Sequence, residues 1–311
     1  MIMIGVSQCL LGDEVRYDGG HKQDRYITHT LRDYFQITTL CPEVEAGLGI
    51  PREAMHLEGG EDQPKLVSVR TRRDLTQPLR QWSEHQAQAL AGQRLCGFIF
   101  KSKSPSCGMQ RVKLYNEHGV TISHKGVGLF AQAFIAQNPL VPVEEEGRLH
   151  DAPLRENFIE RVFVYDRWLT LLARGGAAKD LVAFHAQHKF LIMAHDPVQM
   201  RQLGKLVSDA GNTVPLQAYG QGLMLALGKL ATVKKQVDVL YHLMGFFKKQ
   251  LSGDEKKELT DLFEQYHQQL IPLIVPITLV NHYVRKFKID YLAQQWYLQP
   301  HPAELKLRNH V

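Results

Sequence analysis

Four cysteines are the first residues to consider for chemistry in this 311-residue chain, because thiolates bind metals and act as nucleophiles. They form no Cys-x-x-Cys pair, so the sequence gives little support for a structural zinc site. They also do not make a disulfide framework. Cys96 lies within the apolar run LCGFIF and is expected in the core. Cys9, Cys41 and Cys107 remain as candidate functional thiols.

The three candidate cysteines all stand beside polar, turn-forming segments. Cys9 precedes LLGDEVRYDGG, Cys41 opens CPEVEAGLGIPR, and Cys107 ends KSKSPSC before a glycine. Three thiolates that leave one coordination position open are what a substrate-binding 4Fe-4S cluster needs, because such clusters normally take four cysteine ligands. Three unrelated cysteines near turns are the alternative, and composition does not decide between the two.

Each of these cysteines follows a segment that is predicted to be a strand. The apolar runs at Ile2–Ser7, residues 36–40 and Leu95–Phe100 are typical of buried strands. The first two cysteines come at the carboxyl ends of the first two runs, and the third lies in the loop after the third run. Since ligands bind outside the carboxyl ends of strands in open α/β sheets, we expect the three thiols to converge on one side of a sheet.

The rest of the first half alternates between helical and extended patterns. Helices are predicted over residues 21–35, 78–91 and 126–138, and KLVSVRT at residues 65–71 alternates like a half-exposed strand. Strands that alternate with helices indicate an α/β domain with a largely parallel sheet. We assign this domain to residues 1–150.

The pattern changes at residues 141–151, a connector that contains proline, glutamate and glycine. Beyond it, strand signals are scarce and helical periodicity dominates. The predicted helices cover residues 155–174, 177–188, 197–209, 214–231, 234–251, 254–270 and 279–292. One helix is predicted to stop and the next to start at residues 252–255. Residues 151–311 are therefore predicted to form an all-α C-terminal domain.

The composition is typical of a soluble globular protein, with 44% hydrophobic and 22% charged residues. No signal peptide is expected, because the first twenty residues lack a basic region and soon reach Gly, Asp and Glu. The most apolar stretch, residues 270–280, is too short to span a bilayer and contains two prolines, so a buried, kinked helix is expected. We therefore expect a cytoplasmic protein without membrane association.

The net charge of +5 belongs to the second half of the chain. Residues 1–150 carry 17 basic and 17 acidic side chains, whereas residues 151–311 carry 20 and 15. Residues 201–250 alone carry seven lysines and arginines against two aspartates. Such an excess attracts polyanions, because phosphate contacts supply affinity that does not depend on sequence. A solvated helix surface is the alternative, and composition alone does not establish nucleic-acid binding.

The segments around the three cysteines resemble the thiouracil desulfidase (TudS) family. The matching motifs are RYDGG after Cys9, CPE with GLGIPR at Cys41, and KSKSPSCG at Cys107, and the resemblance covers about residues 1–150. The remainder resembles the YbgA-like helical domain through FHAQHKFLIMAH, YHLMGFFKKQL, PLIVPITLVNHYVRKF and YLQPHPAELKLRN. This combination looks like the two-domain tRNA 4-thiouridine desulfidases (RudS).

The resemblance implies a 4Fe-4S cluster that is held by Cys9, Cys41 and Cys107 and has one open iron site. The open iron would bind the sulfur of a thiocarbonyl and polarise its carbon–sulfur bond as a Lewis acid. Water would then attack the ring carbon, and sulfide would leave without any redox step.

The same motifs contain candidate catalytic side chains. Glu43, two residues after a ligand, is the best-placed carboxylate to move protons, with a helix-start residue as its alternative role. Glu45 fits such a cap better. Ser104 and Ser106 would donate hydrogen bonds to the substrate or to cluster sulfurs, or would only form the turn around Pro105.

Five charged residues of these motifs are candidates for substrate binding. Arg16, Arg52, Lys101 and Lys103 would contact phosphate or uracil oxygens, and a surface or charge-balancing role is the alternative. Asp18, beside two glycines, would alternatively only shape a turn.

The leading hypothesis is a desulfidase that converts 4-thiouridine in tRNA to uridine and hydrogen sulfide. Free thiouracil or thionucleosides are alternative substrates, with a small thiolated pyrimidine as the minimal one. A hypothesis of another class is a non-catalytic iron–sulfur sensor that binds nucleic acid, and a further alternative is a helical domain that recruits a protein. The expected tRNA footprint consists of basic residues of the helical domain, namely Lys189, Lys234, Lys235, Lys248, Lys249, Arg285, Lys286 and Lys288.

Overall fold

Four parallel strands form the main sheet of the N-terminal half. In this computed structural model, which describes residues 1–209 and 215–310, they are β1 (Ile2–Ser7), β2 (Phe35–Leu40), β5 (Leu95–Phe100) and β8 (Val143–Glu145). Their order in the sheet is β2-β1-β5-β8, and every pairing is parallel. All six residues of β5 are buried, as expected for a central parallel strand that is covered on both faces. The predicted α/β class with a largely parallel sheet is confirmed.

A second, mixed sheet lies in the same half. Its strands are β3 (Met55–Glu58), β4 (Lys65–Ser68), β6 (Val112–Tyr115) and β7 (Thr121–Gly126). They are ordered β4-β3-β6-β7, with antiparallel outer pairs and a parallel β3–β6 pair in the centre. The sequence pattern predicted β4 and none of the other three, because strands of four to six residues give weak periodicity.

Two longer helices and two short ones complete this half: α1 (Arg25–His29), α2 (Pro42–Glu45), α3 (Thr76–Ala91) and α4 (Leu129–Gln137). Helices α3 and α4 pack together against the main sheet. Four phenylalanines from β5 and α4 form the centre of this core, with ring centroids 4.4 to 6.0 Å apart. Such aromatic pairs add about 0.5–1.5 kcal/mol each beyond the area that they bury.

The predicted helix over residues 21–35 is wrong for most of its length. The α-helix begins only after Asp24, whose carboxylate accepts a hydrogen bond from Ile27 N (3.1 Å), and it ends at His29. Phe35 belongs to β2, where it pairs with Ile2. Long-range strand pairing therefore overrides the local helical spacing.

The connector and two other bounds are also corrected. Residues 143–145 of the predicted connector form β8 and complete the main sheet. The helix predicted from residue 126 begins at Leu129, because Gly126 is the last residue of β7. The predicted strand over residues 65–71 ends at Ser68, before a turn in which Arg72 has a φ of 55°.

The second half consists mostly of helices, as predicted. They are α5 (Ala152–Ala173), α6 (Ala178–His195), α7 (Pro197–Ser208), α8 (Leu216–Leu227), α9 (Val233–Gly245), α10 (Gly253–His267), α11 (Ile274–Lys286) and α12 (Asp290–Ala293). The start at residues 252–255 is confirmed by a capping box between Ser252 and Glu255. The predicted start of one helix at Val214 lies outside the described residues.

Three predictions for this half are wrong in detail. Helix α6 continues seven residues beyond the predicted end at His188, to His195. Helix α9 ends at Gly245 rather than at residue 251. The kinked helix over residues 270–280 is not formed, because α11 starts at Ile274 and Pro276 lies in its first turn, where no amide hydrogen bond is lost.

The chain divides into two compact units, Met1–Asp151 and Ala152–Val311. None of the helices in the described ranges combines the length and the apolar character that crossing a membrane requires.

A buried charged network ties the end of the chain to the helical unit. Glu160 of α5 lies 2.5 Å from His195 Nε2 and 3.4 Å from an Arg308 nitrogen, while Arg308 also donates to Glu156 (3.1 Å). Glu160, His195 and Arg308 are buried and the Glu156 side chain is 14% exposed, so the charged groups of this network need their partners.

Three histidines of the helical unit are kept neutral by burial. It lowers the pKa of His188 to about 3 and the pKa values of His185 and His301 to about 4. The His188 ring stacks on Phe184 at 3.9 Å, and its Nδ1 lies 2.7 Å from the Phe184 carbonyl oxygen. The unfolded chain, whose histidines titrate near pH 6.5, therefore binds protons between about pH 6.5 and 4 that the folded unit does not.

Acidification from pH 6.5 to 4 is expected to lower the free energy of unfolding of the helical unit by about 1.4 kcal/mol per pH unit for each fully buried histidine. Glu156 has the opposite effect on the free energy of unfolding. Burial raises its pKa to about 7, so the folded form binds this proton at a higher pH than the unfolded chain does. Urea denaturation followed by circular dichroism at several pH values measures the slope. His188→Phe should make it shallower by about 1.4 kcal/mol per pH unit. The matched variant His267→Phe removes an exposed imidazole, and equal slopes in both variants would contradict this assignment.

Candidate functional site

The three candidate cysteines follow three adjacent strands of the main sheet. Cys9 lies in the 3-10 turn Gln8–Leu11 directly after β1, Cys41 is the N-cap of α2 after β2, and Cys107 lies in the loop after β5. Because β1 stands between β2 and β5, the carboxyl ends of all three strands meet at one edge. There the three cysteines line a common cavity of about 430 Å³.

Cys96 takes no part in this cavity. It is fully buried within β5, and its Sγ lies 3.7 Å from the Arg94 carbonyl oxygen. Its position agrees with the core role that the sequence predicts.

The environment of the three cavity cysteines favours protonated thiols. Burial raises the pKa of Cys9 to about 11, with a further contribution from Cys41. Burial also raises the pKa of Cys41 and, most strongly, that of Cys107, which is 5% exposed. A thiolate in this cavity therefore needs a positive partner, and a bound metal is the usual one.

The donor set fits an iron–sulfur cluster better than a single ion. Among residues 1–209 and 215–310 no three His, Cys, Asp or Glu side chains are grouped closely enough to hold one metal ion. A cluster instead presents a different iron to each cysteine, so its ligands line a cavity without meeting at a point. Thiolate sulfur is also the ligand type that such clusters select.

Glu43 connects the Cys41 segment to the Cys107 loop. Its Oε1 accepts a hydrogen bond from Ser106 Oγ (2.7 Å), and its Oε2 accepts two from Arg52, one of them from Nε at 2.8 Å. All three residues line the cysteine cavity. Glu45, by contrast, accepts from the backbone amide of Cys41 (3.0 Å), which is the capping role that the sequence predicts for it.

Two serines extend this contact. Ser104 Oγ accepts hydrogen bonds from the amides of Cys107 (3.1 Å) and Ser106 (3.3 Å), so its own hydrogen is free to go to Ser106 Oγ at 2.9 Å. Ser106 Oγ in turn donates to Glu43, and it is 3.8 Å from Cys107 Sγ. The result is a hydrogen-bonded chain from Ser104 through Ser106 to the carboxylate, in which both serines also shape the predicted turn.

Arg52 is bound within the protein at several points. Besides Glu43, its guanidinium donates to the carbonyl oxygens of Gly49 and Val15, each at 3.0 Å. The side chain is only 6% exposed. These contacts fix the orientation of the Glu43 carboxylate, and the predicted contact of Arg52 with substrate stays a prediction.

Lys101 is held by a carboxylate that the sequence reasoning missed. Its Nζ contacts Glu146, which also accepts from the amide (2.7 Å) and hydroxyl (2.8 Å) of Ser102. The Lys101 amide donates to Oγ of the buried Ser7 (2.9 Å), a second residue that the sequence pattern did not indicate. Glu146 follows β8, so its role was hidden in a segment that looked like a connector, and Ser7 carried no signal beyond its place before Cys9.

The remaining candidates occupy different places. Arg16 lines the cavity and its Nε lies 3.4 Å from Asp18. Asp18 does not line the cavity; it accepts from the Gly20 amide (3.1 Å), which lowers its pKa and shapes the turn. Lys103 lines the cavity from a left-handed backbone conformation with a φ of 60°.

A close approach of two backbones sets the shape of the Cys107 loop. A Cβ on Gly128 would lie 2.5 Å from the carbonyl carbon of Ser106, so only glycine fits there. The amides of Leu129 and Phe130 at the start of α4 donate to the Pro105 (3.1 Å) and Ser106 (2.9 Å) carbonyl oxygens. The start of α4 thus fixes the loop that presents Cys107 and both serines.

The chain matches two known families in succession. Residues 4–146 match the family model of 2-thiouracil desulfurase, and residues 189–302 match that of a protein of unknown function, DUF1722.

Two relatives and one solved structure are similar to this chain. Uncharacterized protein YbgA of Escherichia coli (strain K12) is 26% identical over 153 residues, which are 48% of this chain and 90% of YbgA. Uncharacterized protein YbbK of Bacillus subtilis (strain 168) is 32% identical over 133 residues, which are 40% of this chain and 85% of YbbK. The structure of the 4Fe-4S-dependent thiouracil desulfidase TudS is 28% identical with a TM-score of 0.39, covering 49% of this chain and 95% of its own.

Replacing any one cavity cysteine is expected to remove most of the iron that the protein binds after anaerobic reconstitution, because the cluster would then have only two protein ligands. The variants are Cys9→Ser, Cys41→Ser and Cys107→Ser, with iron and acid-labile sulfide measured per chain. Cys96→Ser is the matched control, since Cys96 lies outside the cavity, and it should keep its iron. Full iron content in all three cavity variants would rule out this ligand set.

Proposed function

The chain belongs to the 2-thiouracil desulfurase family through residues 4–146, and from this we propose that it is an iron–sulfur-dependent desulfidase that converts 4-thiouridine in tRNA to uridine. The observation that carries the proposal is the cavity in which Cys9, Cys41 and Cys107 stand beside Glu43 and its serine chain. With about 430 Å³, the cavity is within the range of roughly 300–1,000 Å³ that is usual for ligand sites.

Cys9, Cys41 and Cys107 would hold a 4Fe-4S cluster. It would supply a Lewis-acidic iron that polarises the carbon–sulfur bond of the substrate. The reaction is a hydrolysis: water supplies the oxygen of the new carbonyl and both hydrogens of hydrogen sulfide, so no oxidant or reductant is required.

The protein's own contribution is proton transfer and orientation. Glu43 accepts a proton from the attacking water, and its carboxylate is aimed by Arg52. Ser106 and Ser104, which are hydrogen-bonded to each other and to Glu43, relay the proton towards the departing sulfur. Arg16 and Lys103 line the same cavity and would contact the oxygens of the pyrimidine or its ribose phosphate.

The helical unit supports tRNA as the substrate through its surface charge. Of the eight basic residues in the expected footprint, Lys235 donates to the His195 carbonyl oxygen (2.7 Å) and Lys286 to Glu255 (2.6 Å). The other six are exposed and make no ion pair within the described parts of the chain. They are Lys189, Lys234, Lys248, Lys249, Arg285 and Lys288. Exposed, unpaired cations are the side chains that replace counterions along a phosphate backbone.

Anaerobically reconstituted protein is expected to release sulfide from thiolated tRNA and to leave uridine in its place. Because the modified base is stacked in a folded RNA, exposing it costs about a few kcal/mol, which protein contacts must offset. Sulfide release and nucleoside analysis by mass spectrometry measure the reaction, with free 4-thiouracil as the parallel substrate. Turnover of the free base alone would eliminate tRNA as the substrate, and turnover of neither would eliminate the desulfidase.

Glu43→Gln is expected to lower kcat by about 10²–10⁴-fold, the usual range for the loss of a proton-transferring group. The amide keeps the size of the side chain, so the iron content should stay at the wild-type level. Glu14→Gln is the control, because Glu14 is an exposed acid of the Cys9 segment that does not line the cavity. Unchanged kcat in Glu43→Gln would remove Glu43 from the reaction, whereas a non-catalytic iron–sulfur protein would show no turnover in the wild type or in the variant.

A further inference from the structure

A second concave surface adjoins the cysteine cavity within the N-terminal unit. It has a volume of about 740 Å³, larger than the cavity itself, and we call it the sheet groove. Met55, Ser102, Lys103 and Pro105 line both the groove and the cavity. A ligand that enters the cavity through this side therefore has its neighbouring atoms in the groove.

The groove is formed on the outward face of the second sheet. In β6, Val112 and Leu114 are buried while Lys113 and Tyr115 point away from the core, as strand alternation requires. The parallel pairing of Leu57 with Leu114 brings β3 alongside β6. The outward side chains of these two strands therefore form one continuous surface.

Positive charge dominates this surface. Lys103, Arg111 and Lys113 line it, and none of them forms an ion pair within residues 1–209 and 215–310. Arg148 also lines it but is bonded to Glu144 at 2.6 Å. The carboxylate among the lining side chains is Glu145, which is buried and accepts from the Met109 amide (3.1 Å). Three exposed cations thus lie in one groove outside any ion pair of the described residues, and Arg111 among them interacts electrostatically with Glu145.

An aromatic pair stands among these cations. His56 and Tyr115 stack with their ring centroids 4.6 Å apart and their planes at 19°. The His56 ring is held through Nε2 by Glu58 (2.5 Å), and Glu58 is held by Arg72 (2.9 Å from Nη2). The pair is therefore fixed in place before any ligand arrives, which lowers the entropy cost of stacking a base on it.

We propose that the sheet groove binds the single-stranded nucleotides next to the thiolated residue of an RNA substrate. The inference rests on the proposed function and deepens it, because it gives the catalytic unit an RNA contact of its own. The exposed cations would bind phosphates, and the fixed aromatic pair would stack on an unstacked base. The residues that line both surfaces connect this binding surface to the cavity. Continuity with the cavity and the stacked pair of His56 and Tyr115 favour RNA over an acidic peptide, which becomes an outcome of the test.

The test compares Lys113→Gln and Tyr115→Leu with wild-type full-length protein. Both residues line the groove and not the cysteine cavity. The equilibrium affinity for thiolated tRNA is measured by fluorescence anisotropy at several salt concentrations, and turnover of free 4-thiouracil is measured in parallel. Lys125→Gln is the matched control, because Lys125 is an exposed lysine of the same sheet that lines neither surface.

Lys113→Gln is expected to make the slope of log affinity against log salt shallower by about 0.7, the value for one single-strand phosphate contact. Tyr115→Leu should weaken tRNA binding by about 5- to 100-fold, the usual range for loss of a stacked base. Turnover of the free base should be unchanged in both variants, and Lys125→Gln should behave as wild type.

The groove proposal is overturned if Lys113→Gln and Tyr115→Leu bind tRNA with the same affinity and salt slope as the wild-type protein. It is also overturned if the wild-type protein does not bind tRNA. Affinity for poly-glutamate is measured in the same way. If the variants lose affinity for poly-glutamate and keep their affinity for tRNA, the groove binds an acidic polypeptide instead. If the variants weaken tRNA binding but the wild-type protein does not desulfurate tRNA, the groove is an RNA-binding surface and tRNA is not the substrate.

Discussion

Parallel pairing of β1 with both β2 and β5 is the constraint on which the site depends. Ser7 stands opposite Leu40 and Val6 opposite Ile99, so the chain leaves all three strands at the same edge of the sheet. A shift of one residue in either ladder would move a cysteine by about 3.3 Å and turn neighbouring side chains to the other face. The packing of the phenylalanine core against β5 stabilises this register, and with it the position of every thiol.

Burial at this edge acts against the charged form of each thiol. It raises the pKa values of the cysteines, because a thiolate loses its hydration there, so ligation and charge compensation must come together. Glu43 is as deeply placed, but Arg52 and Ser106 hydrogen-bond to its two oxygens. The same cavity therefore contains a set of soft thiol donors and a carboxylate whose two oxygens both accept hydrogen bonds.

In the proposed function, the two sheets of the N-terminal unit contribute different parts of the binding surface. The main sheet ends in a small, sulfur-lined cavity that suits one thiolated ring, whereas the second sheet offers a wider, cationic surface beside it. A free base would use only the first, and a polynucleotide would use both. The helical unit adds separate basic surface, so RNA affinity is expected from several weak contacts, which favours salt-sensitive binding.

The sequence by itself determined the strands β1, β2 and β5, the helical second half and the places of three cysteines after those strands, because apolar runs and periodicity report burial along a local segment. Only the tertiary structure decided which residues meet. Glu43 and Ser106 are 63 positions apart, and Glu146 lies in a segment that resembled a linker. Three of the four strands of the second sheet, and the groove on it, were also not predicted from the sequence pattern. Such contacts depend on long-range strand pairing and loop closure, which no local periodicity encodes.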